Sequence, residues 1–294
     1  RVVSGTLNHI TLGTVNSGNG LSNNDGTVIV STTVNSNAVI TGGLTVNGTM
    51  TVATDHPGYG LNLSGSQTLD GVGDIQLLAG AYQGFLAFPT ANTTLTVGSG
   101  LTIHGIGSIG NMGIGNTIIN HGTIKADGAG QLAVVTNNLT NTSPGQLIAT
   151  NSAGSLLVSV GTLTSNAGSF NVTAGVLSLN ANAWLSQVAV TMTGGTLNGG
   201  GNLTPSNLAL TRTNGTAGTV NLTGTLDLTG TTLLLDTVNN GLGTWNLVGG
   251  TILGGIAGGT VRTLNGTSLR VVSGTLNHIT LGTVNSGNGL SNND

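Results

Sequence analysis

Asp70 and Asp74 are the only carboxylates in the chain within five residues of one another. Two carboxyl groups on one exposed face are what glycoside cleavage or polysaccharide lysis requires, one to give a proton and one to take it or to attack. Such a pair could also share a cation. On an extended strand, positions i and i+4 point to the same side. Gly71 and Gly73 interrupt the stretch and favour a turn, so turn capping is the plainer expectation for both aspartates.

The other reactive residue types stand apart. His56 neighbours Asp55 and Tyr59, has no second His close by, and reads as a solvated loop residue. His104 and His121 are 17 residues apart, and neither has a carboxylate at metal-site spacing. Lys125 and Asp127 alternate onto one strand face, which predicts an ion pair. Cys is absent, so thiolate chemistry and a disulfide framework are excluded. No Gly-x-Ser-x-Gly elbow stands with a partnered His and acid, and no Gly-Gly-x-Gly-x-Asp calcium repeat occurs. The residues therefore assign no catalytic, cofactor-binding or metal-binding position, and no enzyme is expected.

Two stretches leave the surrounding pattern. Residues 53–60 bring together Asp55, His56, Pro57 and Tyr59, and residues 81–89 hold Tyr82, Phe85 and Phe88 out of very few aromatics. Both read as loops. His56, Tyr59, Tyr82, Phe85 and Phe88 are then the candidates for contact with a glycan or a cell surface, through rings that stack on sugars. In the plainer alternative, the rings plug irregular parts of a core. The span from Gly168 to Gly195, with Trp184, allows a third, smaller bulge.

The elements that carry these residues follow from an unusual composition. Charged residues make up 4% of the 294, against roughly 25% in ordinary soluble domains, and Glu is absent. Hydrophobic residues still make up 37% and the net charge is only −3, which is not the signature of a disordered tract. Five Lys and Arg spread over the chain give no basic patch, so nucleic acid is not an expected partner. No apolar run reaches about 18 residues, so no membrane-spanning helix is expected.

Good helix formers are scarce, whereas Gly, Thr, Val and Asn abound. Apolar residues alternate with Thr, Ser or Asn over three to five positions, as in Leu95-Thr-Val, Leu101-Thr-Ile and Val176-Leu-Ser-Leu. This period of two predicts short half-buried strands. Gly26, Gly48, Gly100, Gly122, Gly145, Gly168, Gly195, Gly218 and Gly243 mark the turns before them, and from Gly122 onward they recur at gaps of 23, 23, 27, 23 and 25 residues. A period near 23 is too short for a four-stranded propeller blade and suits one turn of a parallel β-helix. The expectation is an all-β solenoid with glycine corners at positive φ and roughly 12 coils per 269 residues, about 58 Å long at ~4.8 Å per coil.

Residues 1–25 recur letter for letter as residues 270–294, an offset of 269. We read residues 1–269 as one unit of a tandem array and residues 270–294 as the first coil of the next identical unit, continuing the same solenoid.

The windows at 101–110, 116–127, 195–203 and 218–228, with texture such as Gly218-Thr-Val-Asn-Leu-Thr-Gly-Thr-Leu-Asp-Leu, resemble the β-strand repeats of giant bacterial surface proteins. Filamentous-haemagglutinin-like adhesins and autotransporter stalks are of this kind. The resemblance covers almost the whole chain as texture and carries over no catalytic residue. It implies a right-handed β-helix outside a bacterial cell. The expected function is a structural fibre subunit whose partner is itself, end to end and through lateral bundling. The alternative is an adhesin or stalk that binds glycans or neighbouring surfaces through the loops at 53–60 and 81–89.

Overall fold

The computed structural model describes residues 5–13, 28–32, 38–54, 60–79, 84–110, 114–238 and 241–283. They form a β-solenoid, nearly all parallel strand, of about 10 turns of about 23 residues. Each turn lays strands on three faces in a fixed order. The first face stacks residues 38–40, 61–63, 84–87, 107–110 and 132–135. The second stacks 44–45, 67–70, 94–97, 117–120 and 138–142. The third stacks 49–54, 74–77, 102–105, 123–126 and 146–149. The first two faces share one 16-stranded sheet, and most of the third is a separate 9-stranded sheet.

The alternation read in the sequence supplies the core. On the third face the inward positions form a ladder from Met50 through Ile75, Ile103, Ile124, Leu147 and Phe170 to Val190, every one of them 0–1% exposed. Burying each such side chain is worth roughly 1.5–3 kcal/mol. The residues between them, such as Thr102, Thr123 and Gln146, face outward and are half-buried by their neighbours above and below. β-Branched residues suit that pleated, partly covered surface.

Coil length varies more than the glycine series suggests. Thr123 pairs with Gln146 and Gln146 with Ser169, steps of 23 residues, but Ser169 to Ala189 and Ala189 to Ala209 are steps of 20. At the other extreme, Asp74 pairs with Thr102 and Gly5 with Ala38, steps of 28 and 33. These long steps lower the turn count below the 12 expected from a uniform period.

The glycines themselves divide into two stacks. Gly122, Gly145 and Gly168 precede third-face strands, whereas Gly195, Gly218 and Gly243 precede first-face strands and extend the stack of Gly154 and Gly175. The 27-residue gap between Gly168 and Gly195 is thus a change of corner, with no bulge. Trp184 within it ends the regular strand Val176–Trp184 and is buried. Gly195, Gly218 and Gly243 have the expected positive φ of +64°, +69° and +64°. Gly48, Gly100, Gly122, Gly145 and Gly168 do not, which corrects the reason given for them. At Gly122 a Cβ would run into the carbonyl oxygens of Leu101 and Gly98 in the coil below, so close stacking of backbones excludes a side chain there. Gly26 lies outside the described residues.

The two expected loops fare differently. Residues 53 and 54 end the strand Thr49–Thr54, and His56 and Tyr59 lie outside the described residues, as does Tyr82. Residues 84–87, however, are a first-face strand paired with Leu61–Leu63 below and Gly107–Gly110 above. Phe88 is 1% exposed and belongs to the core, not to a contact surface. Its ring fills the corner after that strand, the plugging role weighed above. Phe85 points outward on the strand and is half-buried.

Candidate functional site

Three features outside the aliphatic ladders bear on function: the repeated segment, a row of charged residues, and one buried arginine.

The repeated segment is taken up as strand at both ends of the solenoid. Gly5–Gly13 runs beneath Ala38–Asn47, with Leu7 under Ile40, then Ile10 under Leu44 and Leu12 under Val46. Near the other end, Leu269–Asn277 covers Trp245–Leu253, with Leu276 on Ile252, and Ile279–Thr283 covers Gly259–Thr263, with Leu281 on Val261. In both places the same Leu and Ile residues extend inward ladders. The segment thus bonds a coil on one side in its first copy and on the opposite side in its second. The two copies also lie on different faces. Residues 5–8 stand on the first face and 10–13 on the second, whereas 275–277 stand on the second and 279–283 on the third. Among the described residues the second copy leaves an outer row of backbone donors and acceptors unpaired, an edge that can template a further strand.

The charged row lies on the outer side of the third face. His104 sits over Gln76 and under Lys125 in register. Its Nδ1 is 3.1 Å from Asp127 Oδ2 and its Nε2 is 3.4 Å from Asp74 Oδ2, so the imidazole lies between two carboxylates. Lys125 Nζ is 3.1 Å from Asp127 Oδ2, as the spacing predicted. The Thr49 hydroxyl donates to Asp74 Oδ1 at 3.1 Å. Asp70 takes no part in this row. Its Oδ1 accepts from the Gly71 N–H at 2.8 Å, which is turn capping.

Chemically, this row resembles the acid–base assembly expected of a glycan-active site only in part. A carboxylate does meet an imidazole, but Asp74, His104 and Asp127 line none of the three cavities described among these residues, which are set around Leu203, around Arg270 and around Asp70. Opposite ring nitrogens engage the two carboxylates, so these share no common centre. Among the described residues, no group of three or more His, Cys, Asp or Glu could hold a metal ion. What the row does is lace three successive coils together on their outer surface.

Partial burial pushes the Asp127 carboxyl pKa up, but hydrogen bonds from Lys125 and His104, and their charges, outweigh this and hold it below its ordinary 3.8. A carboxylate depressed on folding adds stability above its unfolded pKa of about 3.9, and that stability is lost as pH falls through the lower folded value. Asp127→Asn is therefore expected to cost about 0.5–1 kcal/mol at neutral pH, a figure set by the partial exposure of the pair. Denaturation curves of the two chains should converge below about pH 4. A gap that persists undiminished at about pH 2 would contradict the assignment.

Arg212 was legible only as one of five scattered cations, and its placement is the largest departure from expectation. It is 3% exposed and points inward above Met192 at the end of the 9-stranded sheet. No carboxylate pairs with it among the described residues. Its Nε donates to Ala217 O at 2.9 Å, its Nη1 to Leu242 O and Thr244 O at 2.8 and 3.1 Å, and its Nη2 to Thr216 O and Gly218 O at 3.0 and 2.5 Å. All five N–H donors of the guanidinium are used. The side chain therefore ties the turn at 216–218 to the corner of the next coil at 242–244. Burial lowers its pKa from the ordinary value.

No protein-family model matches the chain, and the comparisons with curated proteins and with solved structures likewise return no match.

Proposed function

We propose that the chain is a structural unit of a fibre, built from 269-residue solenoid repeats stacked end to end. The observation that carries this reading is the double use of the repeated segment, which extends the ladders upward at one end and downward at the other. A segment with both properties is what a continuous rod needs at its joints, since each joint then covers an edge that would otherwise stay unpaired. Stacking of near-identical interfaces is also the energetic basis of repeat proteins. The location is outside a bacterial cell, as the resemblance to giant surface proteins implies. The outward Thr, Ser and Asn, with only 4% charged residues in the chain, favour lateral bundling that depends little on salt. The glycan-binding alternative draws no support from Phe88, which is in the core.

Chains of one, two and three consecutive 269-residue units test the reading directly. Electron microscopy should show rods that lengthen by roughly 50–60 Å per unit, and aligned samples should diffract at ~4.8 Å along the rod axis. Compact particles, or a length that does not grow with unit number, would overturn it.

A further inference from the structure

One rung is missing from an otherwise continuous ladder. On the first face, inward Val158, Leu179, Gly199, Leu222 and Leu247 stack in register, and only Gly199 lacks a side chain. Gly199 is buried, yet a Cβ placed on it would meet nothing nearer than Leu203 Cδ1 at 3.6 Å. On the third face, at the same level, the wall is open. Leu208–Arg212 is the last strand of the 9-stranded sheet and Thr232–Leu235, its successor on that face, begins a separate 3-stranded sheet. The two are not bonded to one another in the ladder. Between the missing rung and the open wall lies a cavity of about 260 Å³, lined by Leu197, Leu203, Leu222, Leu226, Leu233 and Trp245.

We propose that this cavity is a binding site for a neutral, apolar small molecule, either a substituted aromatic ring or a short alkyl chain. No charged side chain lines it, and besides the Trp245 indole its polar side chains are those of Thr204, Asn221 and Thr232. Such a lining gives water few partners, and an apolar cavity of ~150 Å³ already admits a benzene ring. A volume of about 260 Å³ has room for more than one bare ring. The Leu208 and Thr232 strands flank the opening through which the ligand passes, and half-exposed Leu234 stands beside it. Trp245 is held in place by its Nε1, which donates to Leu242 O at 3.0 Å, so its ring forms a fixed wall of the site. The proposal is independent of the fibre reading.

The chain has two Trp residues, and Trp184 is not part of the lining, so Trp184→Phe leaves Trp245 as the only indole emitter. Bromobenzene and 1-bromohexane are heavy-atom quenchers and serve as the probes, one for each ligand shape. Saturable quenching by either probe is expected, with the unsubstituted Trp184 chain as control. Gly199→Leu supplies the missing side chain and should weaken the saturable phase at least tenfold. Gly199→Ala, which the space accommodates, should weaken it about threefold and keeps the test valid if the larger residue prevents folding. Quenching that stays linear in probe concentration, or is equal in the parent and both Gly199 variants, would overturn the proposal.

Discussion

Replacement of Arg212 by Leu is expected to remove about 3–5 kcal/mol of stability, because a cage of partly buried carbonyl acceptors loses its donor. The aliphatic side chain fits above Met192, but it leaves five carbonyl oxygens, those of Thr216, Ala217, Gly218, Leu242 and Thr244, without their donor. An orphaned buried acceptor costs roughly 1–3 kcal/mol. The sum is reduced because the adjoining polar cavity, about 340 Å³ around Thr216, Thr244 and Arg270, lets water reach some of them. Lys has three donors on a single nitrogen and cannot span both turns, so Arg212→Lys should recover less than half of the loss. Guanidinium melts of the three chains measure this, and amide exchange at 216–218 and 242–244 should rise in step with the lost stability. A Leu variant within 1 kcal/mol of the parent would show that the carbonyl cage is not held by the cation.

Phe170→Ala is expected to cost a similar 3–5 kcal/mol, but by a different physical route. Phe170 is fully buried between Leu147 below and Val190 above, in the third-face ladder. Truncation removes apolar contact from both neighbours and leaves a void that the closely packed rungs cannot fill. Because each coil touches chiefly the coils beside it, such a defect weakens one interface and leaves the rest intact. Unfolding of the Ala variant should therefore separate into two steps, one for the coils on each side, where the parent melts more cooperatively. Ile256→Ala is the matched control, since Ile256 is wholly exposed and its loss should change stability by less than about 0.5 kcal/mol. A single-step melt with an unchanged midpoint in Phe170→Ala would refute the nearest-neighbour account.

The difference between these two residues marks how far the amino-acid sequence carries. Phe170 announces itself: it follows Gly168 and Ser169, alternates with Asn171, and falls in step with Ile124 and Leu147 at a spacing of 23. Alternation and period thus predict the solenoid, the inward ladders and the Lys125–Asp127 pair. Arg212 gives no such signal, because its burial depends on where a sheet ends. His104 is similar. Its two carboxylates are 30 and 23 residues away, and neither distance looks like a site until the coil register, including the irregular 28-residue step from Asp74 to Thr102, is known. Gly199 shows the opposite difficulty. The run Gly199-Gly200-Gly201 offers no side chain to mark an inward position, yet it lies within the strand Thr196–Leu203, where the first glycine replaces a core side chain. Only Gly201 has positive φ, at +72°, and there a Cβ would collide with the carbonyl of Ala181.

The different faces used by the two copies of the repeated segment set the symmetry of the proposed fibre. Thr275 is the copy of Thr6, yet Thr6 lies on the first face and Thr275 on the second. A following unit that begins with this segment, paired as residues 5–13 are, would carry all of its strands one face further round. Units would then be related by a screw operation and not by pure translation. With three faces per turn, a landmark such as the His104 row would wind about the axis and regain its azimuth only at every third unit.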